Sequence, residues 1–293
     1  MRPHLLRRVL ELAEKDPNVI FLTGDVGYGF TDPLRDRLGE RFINCGVAEA
    51  NMISVAAGLA GAGLTPFIYS IVPFVTLRCL EQIRNDLAYH RAPARILGMG
   101  AGFTYGAQGP SHHALEDLHV LAAIPGLAIV NCANRAELDF VFADLEALRA
   151  PLYFRIGKDR GPEGPTVEPI GRAYRVRSGT DVNIVASGHL LGEAIAATEI
   201  LDAGGVSVNL ISCPWLLPFP TGELRSRLVS APIVSVVEAY AGNILETALV
   251  GGGRFRAVSV ARDFSSRVGD AEFLRRAAGL DRLAIAAAAR SIL

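Results

Sequence analysis

Short apolar runs rich in β-branched residues alternate with helical patterns along almost the whole chain. Such alternation is typical of parallel strands covered by helices, because parallel neighbours need a long crossover connection. Strands of the first part are predicted at 19–22, 42–45, 66–69, 95–99, 128–130 and 152–155. Helices are predicted between them near 3–15, 48–61, 74–90, 116–123 and 135–149.

One stretch rich in glycine, proline and charge interrupts this pattern, GKDRGPEGPTVEP at 157–169. The alternation then resumes, with strands near 181–186, 206–211, 232–237 and 255–260 and helices near 190–203, 221–229, 242–250 and 270–292. We therefore predict two doubly wound α/β domains, at 1–158 and 173–293, joined by a linker at 159–172. The first sheet should be mainly parallel, and the second domain should be the smaller.

Composition and charge exclude several classes of function. The formal net charge is −1 and no block of like charges occurs, which argues against a nucleic-acid or polybasic membrane-binding protein. The first residues, MRPHLLRRVLELAEKD, carry charges every few residues, so we expect neither a signal peptide nor a membrane span there. Four scattered cysteines without a C-x-x-C pair indicate reduced thiols. We expect a cytoplasmic protein.

A single carboxylate, Glu49, opens a helix that is otherwise small and apolar, within NCGVAEANMISVAAGLAGAG at 44–63. Burying such a group is costly unless it has a partner, which favours a functional role. Alternatively, Glu49 only stabilises the helix N-terminus. The glycines and alanines allow another backbone to approach closely, which indicates a tight helix–helix or subunit contact.

Further blocks follow in order: GDVGYGF at 24–30, and the segments 71–90, 109–127, 151–158, 180–189 and 233–243. With 44–63, they resemble the C-terminal half of the transketolase family, its pyrimidine-binding and C-terminal domains. The resemblance implies a thiamine diphosphate-dependent enzyme that moves a two-carbon ketol unit from a ketose donor to an aldehyde acceptor.

The resemblance also assigns residues to the cofactor. Glu49 matches the glutamate that contacts N1′ of the aminopyrimidine and promotes its imino tautomer. Phe74 matches the aromatic that stacks on this ring, although it could be an ordinary core phenylalanine. Ile71 and Leu77 stand where the family often has further aromatics. Asp25 matches an aspartate near the thiamine, or is simply a loop carboxylate.

The segment GPSHHALEDLH at 109–119 is dense in histidines and carboxylates. His112/Glu116 and His113/Asp117 are i,i+4 pairs, a spacing that metal sites use. The resemblance explains the cluster better, so we predict no metal on this chain. It implies that His112 contacts substrate oxygens and helps to move protons. The other residues then order the following helix.

Four positions depart from the family pattern. The acidic residue before the GPSH motif is Gln108, and the family's other histidine is absent at Gly100. Gly157 replaces an arginine after the last strand of the first domain, and Gly29 replaces a serine in the first loop. In the family these side chains read a substrate hydroxyl or grip the phosphate of a sugar phosphate.

Only Arg2 is a candidate survivor of the phosphate-binding set, and Lys158 is a nearby substitute without arginine's bidentate geometry. We therefore expect a specialised acceptor rather than a routine pentose or tetrose phosphate. It would be unphosphorylated, carry its phosphate elsewhere, or be attached to a nucleotide or carrier protein.

The resemblance implies a partner as well. Members of the family hold the diphosphate through Mg²⁺ with a GDG motif and a downstream asparagine, and this sequence has no GDG. We expect an N-terminal transketolase subunit to supply that site, in an α2β2 assembly. The alternatives are a decarboxylating deoxyxylulose phosphate synthase-like or E1-β-like subunit, and a non-catalytic scaffold paralogue.

Overall fold

The computed structural model describes residues 1–145, 147–158, 161–164, 166–251 and 253–293. The predicted linker, 159–172, lies partly outside the described residues. Two sheets form the framework. Their strands are β1 Val19–Thr23, β2 Phe42–Asn44, β3 Thr65–Ile71, β4 Arg95–Met99, β5 Ala128–Cys132, β6 Leu152–Ile156, β7 Tyr174–Arg177, β8 Val182–Ala186, β9 Val208–Ser212, β10 Trp215–Leu217, β11 Ile233–Tyr240 and β12 Phe255–Val260.

Helices cover both sheets. They are α1 Arg2–Lys15, α2 Asp32–Leu38, α3 Glu49–Gly61, α4 Val72–Val75, α5 Leu80–Gln82, α6 Asp117–Ala122, α7 Arg135–Ala143, α8 Leu191–Ala203, α9 Thr221–Arg225, α10 Ile244–Leu249, α11 Ala271–Ala277 and α12 Arg282–Arg290. Short 3₁₀ turns lie at Gly39–Arg41, Leu77–Cys79, Gly106–Gln108 and Gly188–Leu190, and a π-helical segment at Ile83–Ala88. Within the described part of the chain, no helix is long and apolar enough to cross a membrane.

The first sheet has the order β10-β5-β6-β4-β3-β1-β2, and the second has the order β12-β11-β8-β9-β7. All neighbours in the first sheet are parallel except β10 with β5. The second sheet is parallel apart from β7 with β9. The predicted fold class, two mainly parallel α/β sheets with helices, is confirmed.

Successive residues of a strand face opposite sides of the sheet, so the first sheet buries two apolar layers. Leu22 packs in the layer with α3, whereas Phe21 packs in the layer with α1 and α7. The α3 layer continues into the second half of the chain through Val185 and Val237. One apolar cluster therefore extends across both sheets.

Two predicted helices differ from the structure. The helix predicted at 74–90 is broken into short turns, and the Thr76 hydroxyl donates to the Val72 carbonyl at 2.6 Å within them. The helix predicted at 270–292 is two helices, because Gly279 adopts φ +71° and Asp281 caps α12 by accepting from the Ala284 N–H at 2.9 Å.

Strand β10 was not predicted, and it ties the two halves of the chain together. It follows β9 of the second sheet but pairs antiparallel with β5 of the first. A second tie is Glu137 of α7, whose buried carboxylate accepts from the Tyr174 hydroxyl at 2.8 Å and the Ser212 hydroxyl at 2.6 Å. Burial raises the pKa of Glu137, although these donors oppose the shift.

A fully buried arginine, Arg155 of β6, joins three elements. Its Nε donates to Asp117 Oδ2 of α6 at 2.7 Å. Its Nη2 donates to the Ala114 carbonyl at 2.7 Å and to the Glu238 carbonyl of β11 at 2.8 Å. The Tyr153 hydroxyl donates to the same Asp117 oxygen at 2.8 Å. The buried charge is therefore both paired and hydrogen-bonded.

Asp117→Asn should leave Arg155 buried without its counter-charge and should destabilise the protein by about 3–5 kcal/mol. Urea unfolding followed by circular dichroism measures the effect. Glu193→Gln is the matched control, because Glu193 pairs with Arg282 at 3.2 Å in a much more exposed setting. Its loss should be at most about 1 kcal/mol. Equal losses for both variants would contradict the role given to Asp117.

Candidate active site

The candidate residues lie on loops and helices that follow the carboxyl ends of the first sheet. Glu49 begins α3 after β2, and Phe74 lies in α4 directly after β3. His112 follows β4, and Lys158 follows β6. In open parallel sheets this edge is where ligands bind, because the connecting loops converge there.

Glu49 is both the first residue of α3 and a buried, paired carboxylate. Its side chain is 1 % exposed, and Arg78 Nη1 lies 2.6 Å from Oε2. The Ser70 hydroxyl lies 3.5 Å from Oε1. A Cβ added at Gly24 would lie 3.3 Å from Glu49 Cγ, so the GDV loop packs closely against this carboxylate.

Arg78, which was not predicted from the sequence, links Glu49 to Phe74 and, through Phe74, to His112. Its guanidinium carbon lies 4.8 Å from the Phe74 ring centroid. The Phe74 ring in turn meets His112 edge-to-face, with centroids 5.1 Å apart and planes at 71°. Glu49, Arg78, Phe74 and His112 therefore form one continuous group. The four-residue spacing of Phe74 and Arg78 would indicate neighbouring side chains on a regular helix. The helix is broken between them, so the spacing alone did not predict this contact.

The histidine pair has divided environments. His112 is partly exposed, and its Nδ1 lies 3.0 Å from the Ser111 hydroxyl. His113 is buried against Phe103, with ring centroids 5.1 Å apart. Asp117 is committed to Arg155. Among the described residues, no group of three or more His, Cys, Asp or Glu side chains could hold a metal ion.

Tyr105, which sequence reasoning also missed, adjoins three predicted positions. Its ring centroid lies 6.3 Å from that of His112, with planes at 73°. Lys158 Nζ lies 5.5 Å from the ring centroid. Gly100 has φ +93°, and a Cβ there would lie 2.2 Å from Tyr105 Cε2. The Tyr105 ring therefore fills the space that a side chain at position 100 would need.

Asp25 lies beside Gly24 in a strained loop, with φ +59°. Its carboxylate accepts from the Tyr28 hydroxyl and, at 2.9 Å, from Asn44 Nδ2. These two hydrogen bonds hold the pKa of Asp25 below its usual value. Asp25 is thus a hydrogen-bond acceptor with fixed partners, and it lies next to Gly24, which packs closely against Glu49.

Arg2 lies at the start of α1 and turns toward an aromatic side chain. Its guanidinium carbon is 3.3 Å from the Phe30 ring centroid. Burial raises the pKa of Tyr69, and the nearby charge of Arg2 opposes that shift. The backbone nitrogen of Met1 lies 3.5 Å from the Lys158 carbonyl, so this end of α1 adjoins the same edge.

The remaining predicted positions lie outside the group of Glu49, Arg78, Phe74 and His112. Ile71 ends β3, and Leu77 is 38 % exposed. Gln108 is exposed, and its N–H donates to the Tyr105 carbonyl at 2.9 Å. A Cβ at Gly29 would meet open space. At Gly157 it would lie 2.9 Å from His189 Nδ1.

Arg78→Ala should destabilise the protein by about 1–3 kcal/mol, because it leaves the Glu49 carboxylate buried without its cationic partner. The expected loss of stability is modest because the Arg78 side chain is 48 % exposed, so solvent weakens the ion pair. Chemical unfolding at neutral pH measures the change. Arg84→Ala is the control, since Arg84 is exposed and its side chain hydrogen-bonds only to the neighbouring Asn85 among the described residues. Indistinguishable losses in the two variants would refute the pairing.

Comparison with known proteins places this geometry in a family. The family model of the transketolase pyrimidine binding domain matches residues 4–163, and that of the transketolase C-terminal domain matches residues 171–243. A component of apulose-4-phosphate transketolase from Phocaeicola vulgatus, named as one of its subunits, is 30% identical over 79% of this chain and 76% of its own length. The 6-deoxy-6-sulfo-D-fructose transketolase subunit SqwH from Clostridium sp. is 30% identical over 97% and 91%.

Solved structures agree. A split gene transketolase described as an inactive beta4 tetramer superposes with TM-score 0.86 at 26% identity, over 100% of this chain and 97% of that one. Transketolase from Leishmania mexicana superposes with TM-score 0.84 over 99% of this chain but 45% of that chain, which at 21% identity shows the fold alone. The chain belongs to the transketolase family and contains that family's pyrimidine-binding and C-terminal domains.

Proposed function

We propose that this chain is the C-terminal subunit of a two-component, thiamine diphosphate-dependent transketolase. It would move a two-carbon ketol unit from a ketose donor to an aldehyde acceptor. The observation that carries the proposal is the continuous group of Glu49, Arg78, Phe74 and His112 at the carboxyl edge of the first sheet. The naming of two relatives as transketolase subunits supports it.

The residues present fit the cofactor's pyrimidine. An aromatic ring with a basic nitrogen needs a carboxyl group that can share a proton with that nitrogen and an aromatic face on which to stack. Glu49 and Phe74 offer these two groups, and both contact the guanidinium of Arg78. Glu49 and Phe74 would hold this ring, with Ile71 and Leu77 beside it and Asp25 near the thiamine. When bound, thiamine diphosphate supplies the electron sink that allows the bond next to a carbonyl to break.

The chain's own residues then control position and protons. Glu49 holds or moves a proton at the ring nitrogen, and Phe74 fixes the orientation of the ring. His112 is partly exposed and touches Phe74, so it can contact substrate oxygens and transfer protons. Proton exchange between Glu49 and the ring nitrogen needs a carboxyl group shielded from water, and the burial of Glu49 provides this shielding.

The diphosphate and its Mg²⁺ would be held by an N-terminal transketolase subunit that carries the GDG motif and its asparagine, in an α2β2 assembly in the cytoplasm. The description of the related beta4 tetramer as inactive supports a need for that partner. Gln108, Gly100, Gly157 and Gly29 support a specialised acceptor. The sugars named for the two related transketolases, an apulose phosphate and a sulfofructose, are likewise specialised.

The decisive experiment is co-expression with a GDG-bearing subunit. We expect the complex to retain thiamine diphosphate and cleave a ketose, and each chain alone to retain little cofactor. Glu49→Gln should lower ketol transfer by at least about 10²-fold, because proton control is lost. Glu81→Gln, at an exposed position, is the matched control.

Other outcomes separate the alternatives. Release of carbon dioxide from pyruvate without ketose cleavage would favour the decarboxylating enzymes. A 1-deoxy-D-xylulose-5-phosphate synthase from Synechococcus sp. is 30% identical over 89% of this chain, although over only 38% of its own length. A complex that binds no cofactor would favour the scaffold interpretation.

A further inference from the structure

A cavity of about 380 Å³ lies at the amino edge of the first sheet, opposite the candidate active site. The segments that lead into β1, β3 and β4 border it, together with the chain between α7 and β6. The proposed ketol transfer uses none of these residues. A volume of this size is typical of a site for a small organic molecule.

A buried arginine lines this cavity without a counter-charge. Arg95 is 3% exposed. Its two Nη atoms donate to the carbonyls of Leu145, Leu148 and Ala150, at 3.0, 2.8 and 2.7 Å. Its buried Nε has no hydrogen-bond partner among the described residues, and no carboxylate in that part of the chain pairs with its charge. The carbonyls satisfy the Nη donors but carry no net charge, so the buried cation is uncompensated.

A second cation, Arg149, borders the same cavity. It is exposed, and within the described part of the chain its side chain has no hydrogen-bond or ion-pair partner. Burial and the like charge of Arg149 lower the pKa of Arg95 to about 10. Two cations therefore disfavour each other beside one empty space, and a bound anion would relieve both the repulsion and the missing counter-charge.

The remaining walls restrict the chemistry of such a ligand. Asp16 also borders the cavity, and its Oδ1 accepts from the Asn18 N–H at 2.9 Å. Leu12, Leu64 and Phe67 provide apolar lining. The two guanidinium groups repel metal cations. A molecule with one anionic group and a short carbon chain matches both the charged and the apolar parts of the wall.

We propose that this cavity binds a small organic anion, a carboxylate or a phosphate ester, between Arg95 and Arg149. The Nε–H of Arg95 donates one hydrogen bond to the anion, and the planar guanidinium of Arg149 donates two. The carbon chain of the ligand lies against Leu12 and Leu64. The site is independent of ketol transfer, so the full chain can be tested without cofactor or partner subunit.

Isothermal titration calorimetry of the full chain tests binding with butyl phosphate, pentanoate and the uncharged pentan-1-ol. We expect a dissociation constant below about 1 mM for at least one of the two anions, and much weaker binding of pentan-1-ol. The ratio of the two anion affinities distinguishes a phosphate ester from a carboxylate. Failure of both anions to bind at about 10 mM, or equally tight binding of pentan-1-ol, would overturn the proposal.

Arg149→Gln should weaken binding of the preferred anion about tenfold, because it removes the charged hydrogen bonds of the accessible cation. Arg225→Gln is the matched control, since Arg225 is likewise exposed and has no hydrogen-bond or ion-pair partner among the residues that the structure describes. The melting temperature of each variant shows that it is folded. Equal weakening in both variants, or none in folded Arg149→Gln, would refute the role of Arg149.

Chemical protection of the unaltered chain locates the bound anion without a substitution at the buried arginine. The preferred anion should protect Arg149, and not Arg225, from modification by phenylglyoxal, as read by mass spectrometry. Pentan-1-ol should protect neither. Equal protection of the two arginines, or no protection of Arg149 at a concentration that saturates the calorimetric signal, would place the anion outside this cavity and overturn the proposal.

Discussion

The ion pair of Arg155 and Asp117 sets the geometry on which the site depends. A charge with no exposure must be satisfied by fixed partners, and Arg155 finds them in α6, in the segment before it and in β11 of the second sheet. Ala114, one of these partners, is two residues from His112. The loop that carries the candidate histidine is therefore held against the second half of the chain.

Glu238 holds the other end of the same loop. Its backbone carbonyl accepts from Arg155, and its carboxylate accepts from the Phe103 N–H at 3.1 Å. That carboxylate also pairs with His189 and, at 2.9 Å, with Arg275. One residue of β11 thus restrains both flanks of the segment that contains Tyr105 and His112. The contacts of Glu238 are those of a positioning residue.

The sequence predicted those features that local pattern determines. Buried parallel strands such as β1 are near-continuous apolar runs, so their alternation with helices was visible. Strand β10 was missed because its partner is far along the chain, and periodicity carries no information on such pairing. Glu49, Phe74 and His112 were recognisable from ordered motifs. The importance of Arg78 and Tyr105 depends on which loops the fold brings together.

The glycines at 100 and 157 show why a missing motif residue is an incomplete argument. Neither position is a vacancy, because Tyr105 fills the space beside the first and His189 the space beside the second. The side chain that fills each space comes from another position in the chain. A comparison made position by position therefore records a missing side chain, whereas the structure shows that another side chain occupies the space. His189 pairs with Glu238, whereas Tyr105 faces His112 and Lys158. A glycine at a motif position therefore has to be interpreted together with the side chains that the fold packs beside it.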